Sequence, residues 1–212
     1  EKHENVWLLP NPSTFNPVTN EELQENNNTD KFSKKVILAI GDLNRYHHKG
    51  FDNLIDIANN VLKEKDDWVL KIVGGGDEGL AILNEKIKFY GLENNIIFTG
   101  FRTDVKHLIR TSDIFILPSR FEGLPMTLLE AMSQGACCIS YDCVSGPSDI
   151  ITHEINGLLI PDQDKSAMTK GLNKLISDEE LREKLANRAP SALDKFSISN
   201  IGSMWIELIK SL

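Results

Sequence analysis

Asp113-Ile-Phe-Ile-Leu-Pro-Ser-Arg-Phe-Glu-Gly-Leu-Pro-Met-Thr-Leu-Leu-Glu130 is the stretch that decides how this chain folds. Its apolar first part, 113–117, reads as a strand that hands the backbone to Pro118 and Ser119. A tight Glu122-Gly123 loop follows, then an apolar helix from Leu124 to Met132 that opens near Pro125. Strand, glycine loop and helix N-terminus form the anion-binding corner of an α/β protein, where free backbone N–H groups point at the ligand. Here the loop carries a carboxylate, Glu122, and the helix a second one eight residues on, Glu130. A phosphate cradle built on two negative charges requires an explanation.

Working outward, the same alternation recurs. Val36–Ile40, Trp68–Val73, Ile96–Thr99, Ala136–Ser140 and Gly157–Ile160 are short apolar runs, several of them closed by glycine. Continuous apolar character is what a strand buried on both faces needs. Between them Phe51, Leu54, Ile55, Ala58 and Leu62 repeat at helical spacing, as do Leu80, Leu83, Ile87 and Tyr90 before Gly91. Val105, Leu108 and Ile109 mark a short helix, and 164–177 an amphipathic one. The expected fold is therefore α/β: a Rossmann-like parallel sheet of about six strands with helices on both faces. Residues 178–212 read as a helical tail of two helices, 179–193 and 197–212, that packs on this domain or crosses to another. Residues 1–34, rich in Asn and Pro, read as a linker with a short entry strand at 6–9, leaving 35–177 as the Rossmann-like domain.

The chain has 212 residues, 41% hydrophobic and 25% charged, with a formal net charge of −8. Nothing in this composition is disordered or membrane-spanning in character. An acidic chain without a Lys/Arg cluster argues against nucleic acid. The start, Glu1-Lys-His-Glu-Asn, does not resemble a signal peptide, so a cytoplasmic protein is expected. Cys137, Cys138 and Cys143 make no disulfide or zinc spacing and read as buried, inert thiols. Asn27-Asn-Thr29 matches a glycosylation sequon but reads as a plain polar loop in such a protein.

Four groups of residues are candidates for chemistry. Gly74-x-Gly76-x-x-Gly79 has the spacing of a dinucleotide fingerprint, but Asp77 and Glu78 in its turn would repel a pyrophosphate. A plain strand-to-helix turn is the better reading. The loop Asp42–Gly50, at a strand's C-terminal end, offers Arg45 and Lys49 to a phosphate, and His47 and His48 as solvated loop residues. Glu122 and Glu130 read as an acid–base pair, as acceptors for ribose and sugar hydroxyls, or as plain surface charges. The glycine elbow and the apolar helix favour the hydroxyl acceptors. The loop Asp142–Asp149 supplies Ser145, Ser148 and Asp149, or simply a helix start capped by Ser148 or Pro147.

The block from Ser119 to Gly135 resembles the signature of the retaining GT-B glycosyltransferases of the "glycosyl transferases, group 1" type, with its two glutamates at the same spacing. Gly50-Phe-Asp-Asn-Leu-Ile55, Ile72-Val-Gly-Gly-Gly76, Gly100-Phe-Arg102, Gly157-Leu-Leu-Ile-Pro161 and Trp7-Leu-Leu-Pro-Asn-Pro12 are similar to further segments of that family. The resemblance covers nearly all of residues 6–212 and implies the C-terminal, donor-binding domain of a GT-B fold.

It implies roles as well. Lys49, with Arg45, would neutralise the donor diphosphate. Glu130 would accept ribose hydroxyls, and Glu122 would act at the transferred sugar as the catalytic carboxylate. Gly123 and the amides of Met126 and Thr127 would face sugar or phosphate, and the base would lie against Phe101 and Arg102. No bound metal or other cofactor is implied, since cations and the helix terminus supply the positive charge. The departure is Asp42, which holds the place of the family's usual arginine. The second cation is then Arg45, from a longer loop, or comes from elsewhere.

The implied partners are a nucleotide-sugar donor, UDP-linked in most such enzymes, and a glycan or lipid-linked acceptor reached through an N-terminal domain. The resemblance also allows peripheral association of the full-length protein with the inner face of the membrane. The activity expected is sugar transfer in cell-surface polysaccharide synthesis, with this piece alone inactive. A sugar-nucleotide epimerase of the same fold and a nonenzymatic nucleotide-sugar-binding module are the alternatives.

Overall fold

The computed structural model describes residues 7, 9–19, 21–22 and 34–211. Six strands form one sheet: β1 (Lys35–Ile40), β2 (Trp68–Val73), β3 (Ile96–Phe98), β4 (Ile114–Leu117), β5 (Cys138–Tyr141) and β6 (Leu158–Ile160). Their order is β3-β2-β1-β4-β5-β6, and every pair is parallel. The order reverses between β1 and β4. At such a switch point the loops leaving two neighbouring strands diverge and open a crevice beyond the strands' C-terminal ends.

Helices cover both faces. α1 (Phe51–Leu62), α2 (Asp77–Tyr90) and α6 (Lys165–Ser177) lie over one face, where Ile37, Leu54, Ile72, Leu83 and Leu172 share a core. α3 (Val105–Arg110), α4 (Met126–Ser133) and the short α5 (Pro147–Ile150) cover the other, with Leu38, Phe115, Leu128 and Met132. Leu38 and Ala39, neighbours on β1, are both fully buried but belong to opposite cores. That is why the strands read as unbroken apolar runs.

The helix ends follow local chemistry. Asp77 and Glu78 occupy the first turn of α2, where their charge meets the positive end of the helix dipole. Gly91 closes that helix in the left-handed conformation, its N–H donating to the carbonyls of Ile87 and Lys88. Asp164 caps α6 by accepting from the Ala167 amide.

Two expectations need correcting. The helix read as 179–193 is instead α7 (Glu179–Arg188), followed by a 3-10 run, Pro190–Phe196. Pro190 has no N–H for the helical ladder, and its ring crowds the carbonyl four residues back. The fifth strand lies two residues later than expected at its start, because the Ala136 amide is still bound to the Ala131 carbonyl as α4 closes. Of the entry strand read at 6–9, residues 6 and 8 lie outside the described residues, and Trp7 and Leu9–Pro12 have no regular structure. The sequon at 27–29 also lies outside them.

The tail divides in two. Leu185 of α7 and Leu193 and Phe196 of the 3-10 run are buried in the two cores. The last helix, α8 (Ile198–Ser211), buries only Ile201 and leaves Ile198, Trp205, Ile206 and Ile209 half or more exposed. The entry segment is laid against this same end of the domain. Its Ser13 amide donates to the Phe196 carbonyl and its Val18 amide to the Ser133 carbonyl. Arg110 ties Glu22 to Gln134.

Candidate active site

The loops that leave β1 and β4 meet at the switch point. Lys49 Nζ stands 2.8 Å from Glu122 Oε1, and Ser119 Oγ donates to the same oxygen at 2.7 Å. The lysine side chain is 19% exposed and the glutamate 9%. Two charges this far out of water hold only as a pair, because an isolated one would forfeit its hydration without compensation.

What brings the loops together is Arg120, a residue that sequence reasoning passed over. Its guanidinium forks onto both carboxylate oxygens of Asp52, at 2.7 and 2.9 Å, and also donates to the His47 carbonyl. Its own amide donates to the His48 carbonyl at 2.9 Å. The planar five-donor head suits this geometry, and a lysine would not reproduce it. The signal was present, an arginine beside the motif and an aspartate in the first turn of α1, but only the fold shows them facing. His47 and His48 serve this joint through their carbonyls.

The glutamate loop is braced from the other side by the loop after β5. Ser145, at φ 57°, donates its hydroxyl to the Glu122 carbonyl at 2.9 Å. Phe121 and Val144 form an isolated parallel bridge. Pro147 does open α5, as its fixed φ allows, but no side chain caps that helix, so Ser148 does not have the capping role. Beneath lies the buried Cys143 thiol, pushed up to about 11 first by burial and then by the Glu122 carboxylate. Burial pushes Cys137 up to about 12 and Cys138 well above the usual range. All three are protonated at neutral pH and poor nucleophiles, as expected.

α4 begins at Met126 with Pro125 as its cap residue and no capping side chain. The Met126 and Thr127 amides therefore open the helix beside Gly123, at its positive end. Glu130, one turn on, is half-buried and faces Thr14 of the entry segment. Burial raises its pKa, and the Thr14 hydroxyl opposes the rise. A carboxylate whose folded pKa is raised weakens the fold as pH climbs through that pKa, and the penalty is absent below the unfolded value. Glu130→Gln is expected to raise the melting temperature at pH 7 and to leave it nearly unchanged near pH 3.5, well below the unfolded carboxyl's pKa. Equal shifts at both pH values would show that burial of the charge is not the cause.

The other predicted residues are more dispersed. Arg45 ends a 3-10 turn, Leu43–Arg45, that Asp42 caps through the Asn44 amide at 2.9 Å. This accounts for an acid at position 42. Arg45 is exposed and makes no ion pair among the described residues. Phe101, 80% exposed, and Arg102 border a cleft of about 380 Å³ between Gly41, Gly74 and Val105, at the ends of β1 and β2. Arg102 is bound to Asp104 through two hydrogen bonds of 2.8 and 2.6 Å, which hold the Asp104 carboxyl at about 2.

The fingerprint glycines have a packing role. A Cβ at Gly79 would stand 1.7 Å from the Leu43 carbonyl oxygen, so α2 starts by pressing on the 3-10 turn. A second, polar cavity of about 180 Å³ opens at the opposite end of the sheet, between Arg110, Asp113, Glu179 and Arg182. It shares no residue with the loops described above. Among the described residues no three His, Cys, Asp or Glu side chains cluster as metal ligands do, and no helix is long and apolar enough to cross a membrane.

Residues 20–192 match the family described as glycosyl transferases group 1. A glycosyltransferase of Haemophilus influenzae is 31% identical over 204 residues, covering 96% of this chain and 55% of that protein. The amylovoran biosynthesis glycosyltransferase AmsD of Erwinia amylovora is 36% identical over 187 residues, covering 87% and 50%. The fold matches that of Anabaena HepE in complex with UDP at a TM-score of 0.78 and 22% identity, over 92% of this chain and 54% of that one. The chain thus spans about half the length of the curated relatives it matches.

Proposed function

The chain belongs to the glycosyl transferases group 1 family, and from that premise we propose that it is the donor-binding half of a retaining glycosyltransferase. It would hold a nucleotide diphosphate sugar, UDP-linked by preference, UDP being the nucleotide bound in its Anabaena fold neighbour, for transfer to a glycan or lipid-linked acceptor in cell-surface polysaccharide synthesis. The observation that carries the reading is the Lys49–Glu122 pair, set across the switch point beside the open amides of α4.

Each half of that pair has a partner in such a donor. The ammonium suits the diphosphate, the leaving group whose charge grows as the glycosidic bond breaks. The carboxylate suits hydroxyls of the transferred sugar and the positive charge that develops at its anomeric carbon. Arg45, in the same loop as Lys49, is the second cation. Glu130 reads the ribose, and the base enters the cleft by Phe101 and Arg102. In the transfer, the bond from anomeric carbon to phosphate oxygen breaks and the acceptor oxygen bonds that carbon on the same face. The acceptor's proton leaves with the diphosphate. Lysine and helix amides meet the leaving group's charge, so the step requires no metal.

In this reading a second domain delivers the acceptor and seats on the exposed apolar side of α8. The whole enzyme works in the cytoplasm, at the inner face of the membrane where a lipid-linked acceptor sits. Calorimetric titration of the chain with UDP, GDP and ADP, and with their hexose conjugates, tests the donor assignment. UDP and a UDP-hexose are expected to bind, with no sugar transfer by this piece alone. No binding of any nucleotide at millimolar concentration would refute the reading.

A further inference from the structure

Beyond the Lys49–Glu122 pair, the lip of the site carries an aromatic surface that the donor reading leaves unused. Glu122 turns inward, with its side chain 9% exposed, whereas its neighbour Phe121 turns outward and is 55% exposed. The ring is firmly placed. Its backbone is bridged to Val144, which is itself 71% exposed, and the His48 ring lies 5.6 Å away, tilted by 40°. The residues on either side are held too, Arg120 by Asp52 and the His47 and His48 carbonyls, Glu122 by Lys49 and Ser145. A rigid ring loses little freedom when a ligand covers it.

A large apolar ring fixed in water beside a carboxylate and an ammonium suits a ligand with an apolar face and a polar edge. A pyranose, with C–H bonds on its face and hydroxyls round its rim, has that shape. The order of the sheet says which pyranose. The cleft assigned to the base lies at the ends of β2 and β1, the Lys49–Glu122 pair between β1 and β4, and the Phe121–Val144 bridge between β4 and β5. A donor laid from the cleft to Glu122 ends at its own sugar. The group beyond it, on the far side from the nucleotide, is the acceptor.

We propose that Phe121, backed by His48 and Val144, is the platform for the accepting pyranose ring of the glycan and so determines acceptor specificity. The inference rests on the donor reading of the Lys49–Glu122 site. The second domain would then close over a sugar whose floor this chain supplies.

Saturation-transfer NMR on the UDP-loaded chain tests it, with methyl glycosides of glucose, galactose and N-acetylgalactosamine, both anomers, at tens of millimolar. At least one glycoside is expected to bind. Phe121→Ala should weaken it about tenfold, the scale of uncovering one ring face, while Phe121→Trp retains it and UDP affinity stays unchanged in both variants. Binding of no glycoside, or equal binding by Phe121→Ala, would overturn the acceptor platform and leave the donor reading standing. A loss of affinity for UDP-glucose relative to UDP in Phe121→Ala would put the ring under the donor sugar and also overturn it. Absence of UDP binding in the unsubstituted chain would overturn the donor reading and this inference together.

Discussion

Lys49→Ala is expected to lower affinity for UDP by about 2–3 kcal/mol, a factor of roughly 30–150, the range for a hydrogen bond to a charged group lost from a partly buried site. The same change should also weaken the fold, because Glu122, only 9% exposed in the intact pair, then keeps only the Ser119 hydroxyl on its carboxylate. Lys49 is itself 19% exposed, so this structural cost falls below that of a fully buried pair, at about 1–3 kcal/mol. A double-mutant cycle separates the two effects. Adding Glu122→Gln to Lys49→Ala should recover much of the stability, since the unpaired carboxylate is gone, and none of the UDP affinity. Denaturant unfolding measures the first quantity and calorimetry the second. UDP affinity that is indifferent to Lys49 would remove the lysine from the diphosphate site.

Gly50→Ala should cost about 3 kcal/mol of stability and also impair the site. Gly50 sits at φ 71°, and a Cβ there would stand 1.8 Å from the Pro118 carbonyl oxygen. The obstacle is backbone, so no rotamer relieves it. Left-handed strain of about 1–2 kcal/mol adds to an overpacking cost of about 1–3 kcal/mol. Relief requires the loop after β1 to lift from the loop after β4, and that motion pulls Lys49 from Glu122. Gly91 provides the control. Its φ is 69°, nearly the same, but a Cβ there meets nothing within 4 Å. Gly91→Ala should therefore cost only the strain, about 1–2 kcal/mol, and leave UDP binding intact. Equal losses in the two variants would show that the close approach to Pro118 carries no weight.

The strands and most helices were legible because burial on both faces leaves an unmistakable run of apolar residues, and helical spacing marks the covering layers. The tail was read less well. Its apolar periodicity runs through Pro190 without a break, and the missing amide, not the pattern, ends α7. Glu122 and Glu130 stood out because a carboxylate in a glycine loop or on an apolar helix is unusual, and Lys49, with Arg45, because it is a cation in a loop at a strand's C-terminal end. Arg120 and Phe121 did not, since an arginine or an exposed phenylalanine is common and acquires meaning only from what it faces.

The α/β class, the family and the stretch that carries the glutamates can all be read along the chain, because they depend on local pattern and spacing. The contact between Lys49 and Glu122 cannot, since 73 residues separate them. That contact depends on the order of strands: β4 is inserted beside β1, the chain reverses direction across the sheet, and Arg120 locks the two loops over the gap. Tertiary structure alone decided how the two charges are paired, and which neighbour of Glu122 is left facing the solvent.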